Sequence, residues 1–104
     1  MRGGRLLLPR ARLGWLYLQA GKLPEAAKWT DEALRMVYGP RKARVLGQRA
    51  EIAAKQGDKA TEKQVRQDTV KLWESMPSSQ LDPDRLAKAR QALAALDVAT
   101  AGAR

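Results

Sequence analysis

The sequence predicts an all-α protein, on three observations. Helix-forming residues dominate, glycine and proline punctuate them at regular intervals, and no segment alternates apolar and polar residues with period two. A chain of 104 residues has the length of one domain with a modest core. We therefore predict a single helical domain over residues 1–104, with frayed ends at 1–6 and 99–104.

The first two helices are delimited by proline and glycine. The first is predicted from about Pro9 to Ala20, because proline is tolerated in a first turn and Gly21 ends the helix. The second begins at Leu23-Pro24-Glu25 and ends at Gly39-Pro40. One face of this second helix carries Ala26, Thr30, Ala33 and Val37.

Three further helices follow by the same criteria. The third is predicted over about 41–56 and the fourth over about 59–75, with Gly57-Asp58 between them. Residues 77–81 form a short polar linker. The last helix has Asp82 as its cap and Pro83 in its first turn. Its apolar stripe is Leu86, Ala89, Leu93 and Leu96.

The composition argues against catalysis and against a membrane protein. The chain has no histidine and no cysteine, and it lacks a nucleophile elbow and a phosphate-binding glycine loop. We expect no enzyme activity, no cofactor and no metal site. No segment approaches the ~20 apolar residues of a membrane span, and the apolar run Leu6–Leu8 is too short for a signal peptide. A soluble cytoplasmic protein is expected, and its arginine and alanine content is typical of a GC-rich bacterial genome.

The spacing of small residues in the first two helices carries a family resemblance. Leu13-Gly14-Trp15-Leu16-Tyr17 is followed by Gly21, Ala26, Ala33-Leu34 and Pro40. Gly14 and Ala26 would let two helix backbones approach closely, and Tyr17 would cover that contact. This unit resembles a tetratricopeptide repeat, a pair of antiparallel helices. It departs from the pattern at Thr30, where the family has an aromatic residue.

A second, degenerate unit lies 36 residues further on. Ala50, Ala53 and Gly57 keep the small residues and the turn, whereas Glu62 replaces Ala26. The last helix resembles the capping helix of such arrays. The resemblance implies about two stacked hairpins plus a C-terminal cap, arranged as a short right-handed superhelical solenoid. Such arrays usually need three repeats. The chain is therefore expected to belong to a longer array or to bury a face against a second copy or a partner.

The excess positive charge is concentrated in two places. Residues 1–20 carry four arginines and no acid, and residues 41–50 carry Arg41, Lys42, Arg44 and Arg49 and no acid. Residues 21–40 and 51–80 are each neutral, so nearly all of the net charge of +9 lies near the starts of the first and third helices. In a stacked array these helices lie side by side on the concave face.

This placement predicts a basic groove that binds a partner, and the alternative is that the arginines only keep a small protein soluble. The candidate contacts are Arg12, Trp15, Gln19, Arg44, Gln48, Glu51 and Lys55, with Leu18 beside them. Trp15 should point away from the partner helix, where it either anchors a partner or packs against its own chain. Tyr17 and Trp73 should pack between helices.

Three functional hypotheses remain open at this point. The first is a non-catalytic protein- or peptide-binding scaffold, for which an acidic ligand suits the groove. The second is a basic helical module for nucleic acid, which has the charge but no known reader motif. The third is a dimerisation or assembly segment whose spare apolar faces meet another copy.

Overall fold

The computed structural model describes residues 8–102, with side-chain surroundings for residues 8–98. Five helices occupy this part of the chain, and it contains no strand. The all-α prediction is confirmed. The helices are α1 (Arg10–Gln19), α2 (Leu23–Leu34), α3 (Gly39–Gln56), α4 (Lys59–Ser75) and α5 (Pro83–Gly102). The predicted bounds of the fourth helix are those observed.

The boundary between α2 and α3 was wrongly predicted. α2 ends at Leu34, and the chain is extended at Tyr38, with φ −149° and ψ 173°. α3 then begins at Gly39, whose φ is +64°, and Pro40 lies in its first turn. Pro40 therefore starts a helix rather than ending one, because the N–H that it lacks has no intrahelical partner at that position. Val37, which was assigned to the face of the second helix, lies in the connection.

Aspartate side chains cap the last two helices. The Asp58 carboxylate accepts a hydrogen bond from the Thr61 N–H at 3.1 Å. Hydrogen bonding from the side chain of Thr61, and then from its backbone N–H, lowers the pKa of Asp58. Asp82 accepts from the N–H groups of Asp84 at 3.0 Å and Arg85 at 3.2 Å, so its predicted capping role is confirmed. The helix it starts continues to Gly102, through residues that were expected to fray. The expected fraying at 1–6 and 103–104 lies outside the described residues.

Each helix packs against its neighbours in sequence, and α1 also contacts α3. The contacts fix the helix directions. The C-terminal parts of α1 and α3 meet in a buried cluster that contains Leu18 and Ile52, with Ala26 of α2. A second cluster contains Ala43 of α3 and Leu86 of α5, joined by Trp73 of α4. The ion pairs Glu74–Arg90 and Lys63–Asp97 show that α4 and α5 are antiparallel. Helices α1, α3 and α5 therefore run in one direction, and α2 and α4 run in the other.

Gly14 lies at a close approach of α1 to α2. A Cβ atom added at Gly14 would collide with the Thr30 hydroxyl and lie 3.1 Å from the Ala26 carbonyl oxygen. Ala26 itself is fully buried. The predicted close approach at Gly14 and Ala26 is confirmed. Tyr17, one turn further on, is half-buried against the cluster of Leu18, Ala26 and Ile52.

Candidate functional site

A pocket of about 590 Å³ lies between the N-terminal halves of α1 and α3, beside the end of α2. Its volume is in the range of ligand-binding pockets, roughly 300–1,000 Å³. We call it the α1–α3 pocket. It is lined by Pro9, Arg10, Ala11, Arg12, Trp15, Ala33, Met36, Val37, Arg41, Arg44, Val45 and Gln48.

The inner wall of the α1–α3 pocket is apolar. Ala33 and Val45 are buried, with 4% and 6% of their surface exposed, because they also belong to the packing between helices. Met36 stands at the rim and is 52% exposed. An apolar side chain that enters the pocket would therefore meet aliphatic groups and a flexible thioether, which adapts to irregular shapes.

Four arginines contribute the charge of this pocket. Arg10 forms a salt bridge to Glu32 of α2, with 3.2 Å between its Nε and the Glu32 Oε1. Within the described part of the chain, Arg12, Arg41 and Arg44 form no salt bridge, and no carboxylate lines the pocket. These three guanidinium groups are available for an anionic partner.

The helix ends add to this positive potential. The first turns of α1 and α3 contain no acid, whereas α2, α4 and α5 have Glu25, Glu62 and Asp84 there. The partial positive charge of a helix N-terminus is normally offset by such acids. At the α1–α3 pocket, arginine side chains reinforce that charge instead.

Trp15 lies at the edge of the pocket and is 40% exposed. The Arg12 guanidinium lies 4.9 Å from the centre of its ring. A cation over an indole face contributes about 0.5–1 kcal/mol at an exposed site, so Arg12 helps to fix the orientation of the ring. Trp15 points away from the buried clusters, and its exposed surface is open to a partner.

Gln48 joins three helices at the bottom of the pocket. Its Nε2 donates to the Ala11 carbonyl oxygen of α1 at 3.0 Å and to the Thr30 hydroxyl of α2 at 2.9 Å. Thr30 is fully buried, so this bond satisfies a hydroxyl that water cannot reach. The sequence predicts Gln48 as a contact for a partner, whereas in the structure its amide is engaged in the wall of the pocket.

Gln48→Ala is expected to lower the free energy of unfolding by about 2 kcal/mol, because it removes two hydrogen bonds and leaves the Thr30 hydroxyl unpaired. Urea denaturation measures the change. Gln64→Ala is the matched control, since Gln64 is exposed and bonds only Asp68, at 3.0 Å. A Gln48 variant as stable as the Gln64 variant would show that the bridge has no structural role.

The structure brings some predicted contact residues together and separates others. Arg12, Trp15, Arg44 and Gln48 line the α1–α3 pocket. Three predicted contacts do not: Gln19, Glu51 and Lys55 are exposed elsewhere on α1 and α3. Leu18, expected beside the groove, is buried in the core with 4% of its surface exposed.

Two of the arginines that line the pocket, Arg10 and Arg41, were not among the predicted contacts. Both lie in the acid-free stretches that the charge count had already distinguished. Each of these arginines lies in the first turn of a helix, and this position could have identified them as residues near the pocket opening.

The described residues lack two further kinds of functional feature. No group of three or more carboxylate side chains is clustered closely enough there to hold a metal ion. None of the helices in this part of the chain has the length and apolar character needed to cross a membrane.

The chain was compared with protein-family models, curated proteins and solved structures. No family model, no curated protein and no solved structure matches it.

Proposed function

We propose that this chain is a non-catalytic module that binds a protein or peptide in the α1–α3 pocket. The observation that carries the proposal is the lining of that pocket. Arg12, Arg41 and Arg44 surround an apolar wall, Trp15 stands exposed beside it, and no carboxylate of the described residues lines it. Charge of one sign speeds the encounter with an oppositely charged partner, and a partly exposed tryptophan beside aliphatic groups provides affinity.

The proposal includes a tetratricopeptide-type arrangement, in which two helix hairpins and a capping helix form a short right-handed superhelical solenoid. The common direction of α1, α3 and α5 supports it, as does the close packing at Gly14. At the position where the resemblance expects an aromatic residue, the buried Thr30 receives the hydrogen bond from Gln48. A polar bridge thus takes the place of an aromatic contact.

The test uses a synthetic array of acidic and neutral peptides that carry one apolar residue, probed with the purified chain. Arg44→Glu and Trp15→Ala are each expected to weaken the strongest interactions by at least about tenfold, which is 1.4 kcal/mol. Arg12→Glu should act in the same direction, because it reverses a charge and releases the indole. Circular dichroism should show unchanged helicity in all three variants.

Matched controls separate the pocket from general charge and hydrophobicity. Lys71→Glu reverses an exposed charge on α4, and Tyr38→Ala removes an aromatic that is 84% exposed; neither residue is among those that line the α1–α3 pocket. Both controls should bind as the unaltered chain does. If the pocket variants bound the peptides as tightly as the controls do, the α1–α3 pocket would not be the binding site.

The competing hypothesis is that the chain binds nucleic acid. The dependence of the affinity on salt concentration distinguishes nucleic acid from a peptide. Binding driven by phosphate contacts weakens with a slope of about −0.9 per phosphate neutralised when log K is plotted against log salt. A gel-shift titration with DNA and RNA at low salt should give no stable complex. A saturable complex with that slope would favour the nucleic-acid hypothesis.

A further inference from the structure

A second pocket, of about 350 Å³, lies between α3 and α5 above α4. We call it the α3–α5 pocket. Arg44 lines both pockets, so the two adjoin across α3. Both pockets lie along the same stretch of α3, since residues 41–48 line the first and residues 43–47 line the second.

The α3–α5 pocket is lined by positively charged side chains, as the α1–α3 pocket is. Arg66, Arg85 and Lys88 line it together with Arg44, and no carboxylate of the described residues does. Arg66 is paired with Glu62 at 2.9 Å, and Arg85 lies 3.5 Å from Asp82, the carboxylate that caps α5. Lys88 has no salt-bridge partner within residues 8–98. Arg44 and Lys88 are therefore the cations available to a ligand here.

Gly47 lies between Arg44 and Gln48 on α3 and lines the α3–α5 pocket. A Cβ atom added there would meet no atom within 4 Å. Glycine inside a helix is less favourable than alanine by about 1 kcal/mol, and no packing contact within the described fold requires it. The absence of a side chain at Gly47 does leave room for another chain to pass close to the α3 backbone.

The lining of the two pockets favours a peptide over the other candidate occupants. Single-stranded nucleic acid is held by several exposed aromatic side chains on which bases stack. Here Trp15 is the one exposed aromatic that lines either pocket among the described residues, and the Arg12 guanidinium already lies over its ring. A second copy of this chain carries the same net charge of +9 and would be repelled.

We propose that the two pockets form one continuous groove and that a single acidic segment of another protein occupies both. An apolar side chain of the segment enters the α1–α3 pocket beside Trp15. Its main chain crosses α3 over Gly47, and carboxylates beyond the crossing pair with Arg44 and Lys88. The inference rests on the proposed function, because it requires a peptide in the α1–α3 pocket. It adds the acidic chemistry of the partner and the second half of the site.

Two panels of fluorescein-labelled synthetic peptides test the proposal by fluorescence anisotropy at low salt. Short probes contain one leucine or tryptophan between glutamates. Long probes add a glycine-serine spacer of varied length and a second glutamate cluster. The best long probe should bind at least about tenfold more tightly than its short counterpart, because the second contact becomes intramolecular.

Variants of the second pocket should affect only the long probes. Lys88→Glu and Gly47→Gln are expected to abolish the gain of the long probe and to leave short-probe binding unchanged. Glutamine restores helix propensity at Gly47, so loss of binding there does not reflect unfolding. Arg44→Glu should weaken both probes, and Lys71→Glu should change neither.

The outcomes separate this inference from the function on which it rests. If short and long probes bind equally well, or if Lys88→Glu and Gly47→Gln leave the long probe unaffected, the continuous groove is wrong and peptide binding in the α1–α3 pocket stands. If neither panel binds, both are wrong. A thymidine oligonucleotide that binds more tightly than every long probe, with the same dependence on Lys88, would overturn the peptide assignment. So would a dimer in sedimentation equilibrium that Lys88→Glu dissociates.

Discussion

Gly14→Ala is expected to lower the free energy of unfolding by about 2–3 kcal/mol, the upper part of the usual cost of overpacking a closely packed contact. The new methyl group would overlap the Thr30 hydroxyl and lie 3.1 Å from both the Ala26 carbonyl oxygen and the Gln48 Nε2. One of these neighbours is backbone, and the other two are held by a hydrogen bond to each other. The helices can accommodate the methyl group only by moving apart. Urea denaturation followed by circular dichroism measures the loss.

Gly47→Ala is the control for this prediction, because the same substitution is made within another helix of the chain. With no atom within 4 Å of the added Cβ, it should raise the free energy of unfolding by about 0.5–1 kcal/mol, the difference in helix propensity. The two glycines thus respond with opposite signs. A Gly14 variant as stable as the Gly47 variant would contradict the close approach of α1 and α2.

Trp73→Ala is expected to have the largest effect on stability, a loss of about 3–5 kcal/mol, as measured for aromatic truncations in other protein cores. Trp73 is 4% exposed and packs with Val70, Met76 and Leu86 where α3, α4 and α5 meet. Small domains are stable by only about 5–15 kcal/mol, so this change removes a large share of the total. Thermal unfolding should show a much lower midpoint.

Trp15→Ala tests whether loss of any tryptophan has this effect. Trp15 is 40% exposed and lies outside both buried clusters, so its removal should change the free energy of unfolding by less than about 1 kcal/mol. The pair therefore separates stability from binding, since Trp15→Ala is the variant expected to lose the partner. A loss of less than about 1 kcal/mol for Trp73→Ala, the size expected of an exposed residue, would mean that Trp73 is not a core residue.

The helices could be predicted where short-range chemistry decides them. α4 has the predicted bounds because Gly57 takes a left-handed conformation, with φ +74°, and Asp58 caps the next turn. The end of α2 could not be predicted in this way. The pair Gly39-Pro40 suits a helix end as well as a helix start, and only the extended conformation of Tyr38 decides between them.

The candidate site was predicted less completely, for a geometrical reason. Arg12, Trp15 and Arg44 were found because helical spacing and charge place them on one face. Summing charges by segment concealed Lys88, since residues 81–104 carry a net charge of only +1. The acids of that segment include Asp82, which caps α5, while Lys88 faces the α3–α5 pocket. Opposite charges that are close in sequence cancel in such a sum, even when their side chains face different sides of the molecule.

The amide of Gln48 has a consequence for how selectively the groove that we propose would recognise a partner. Both of its N–H groups are committed, at 3.0 Å to Ala11 and at 2.9 Å to Thr30, so the spacing of three helices is set before any ligand arrives. A site ordered during folding loses little conformational entropy on association. Such a site adapts little to a poorly fitting sequence, so discrimination would depend on its rigid shape and on the exposed thioether side chain of Met36 at the rim.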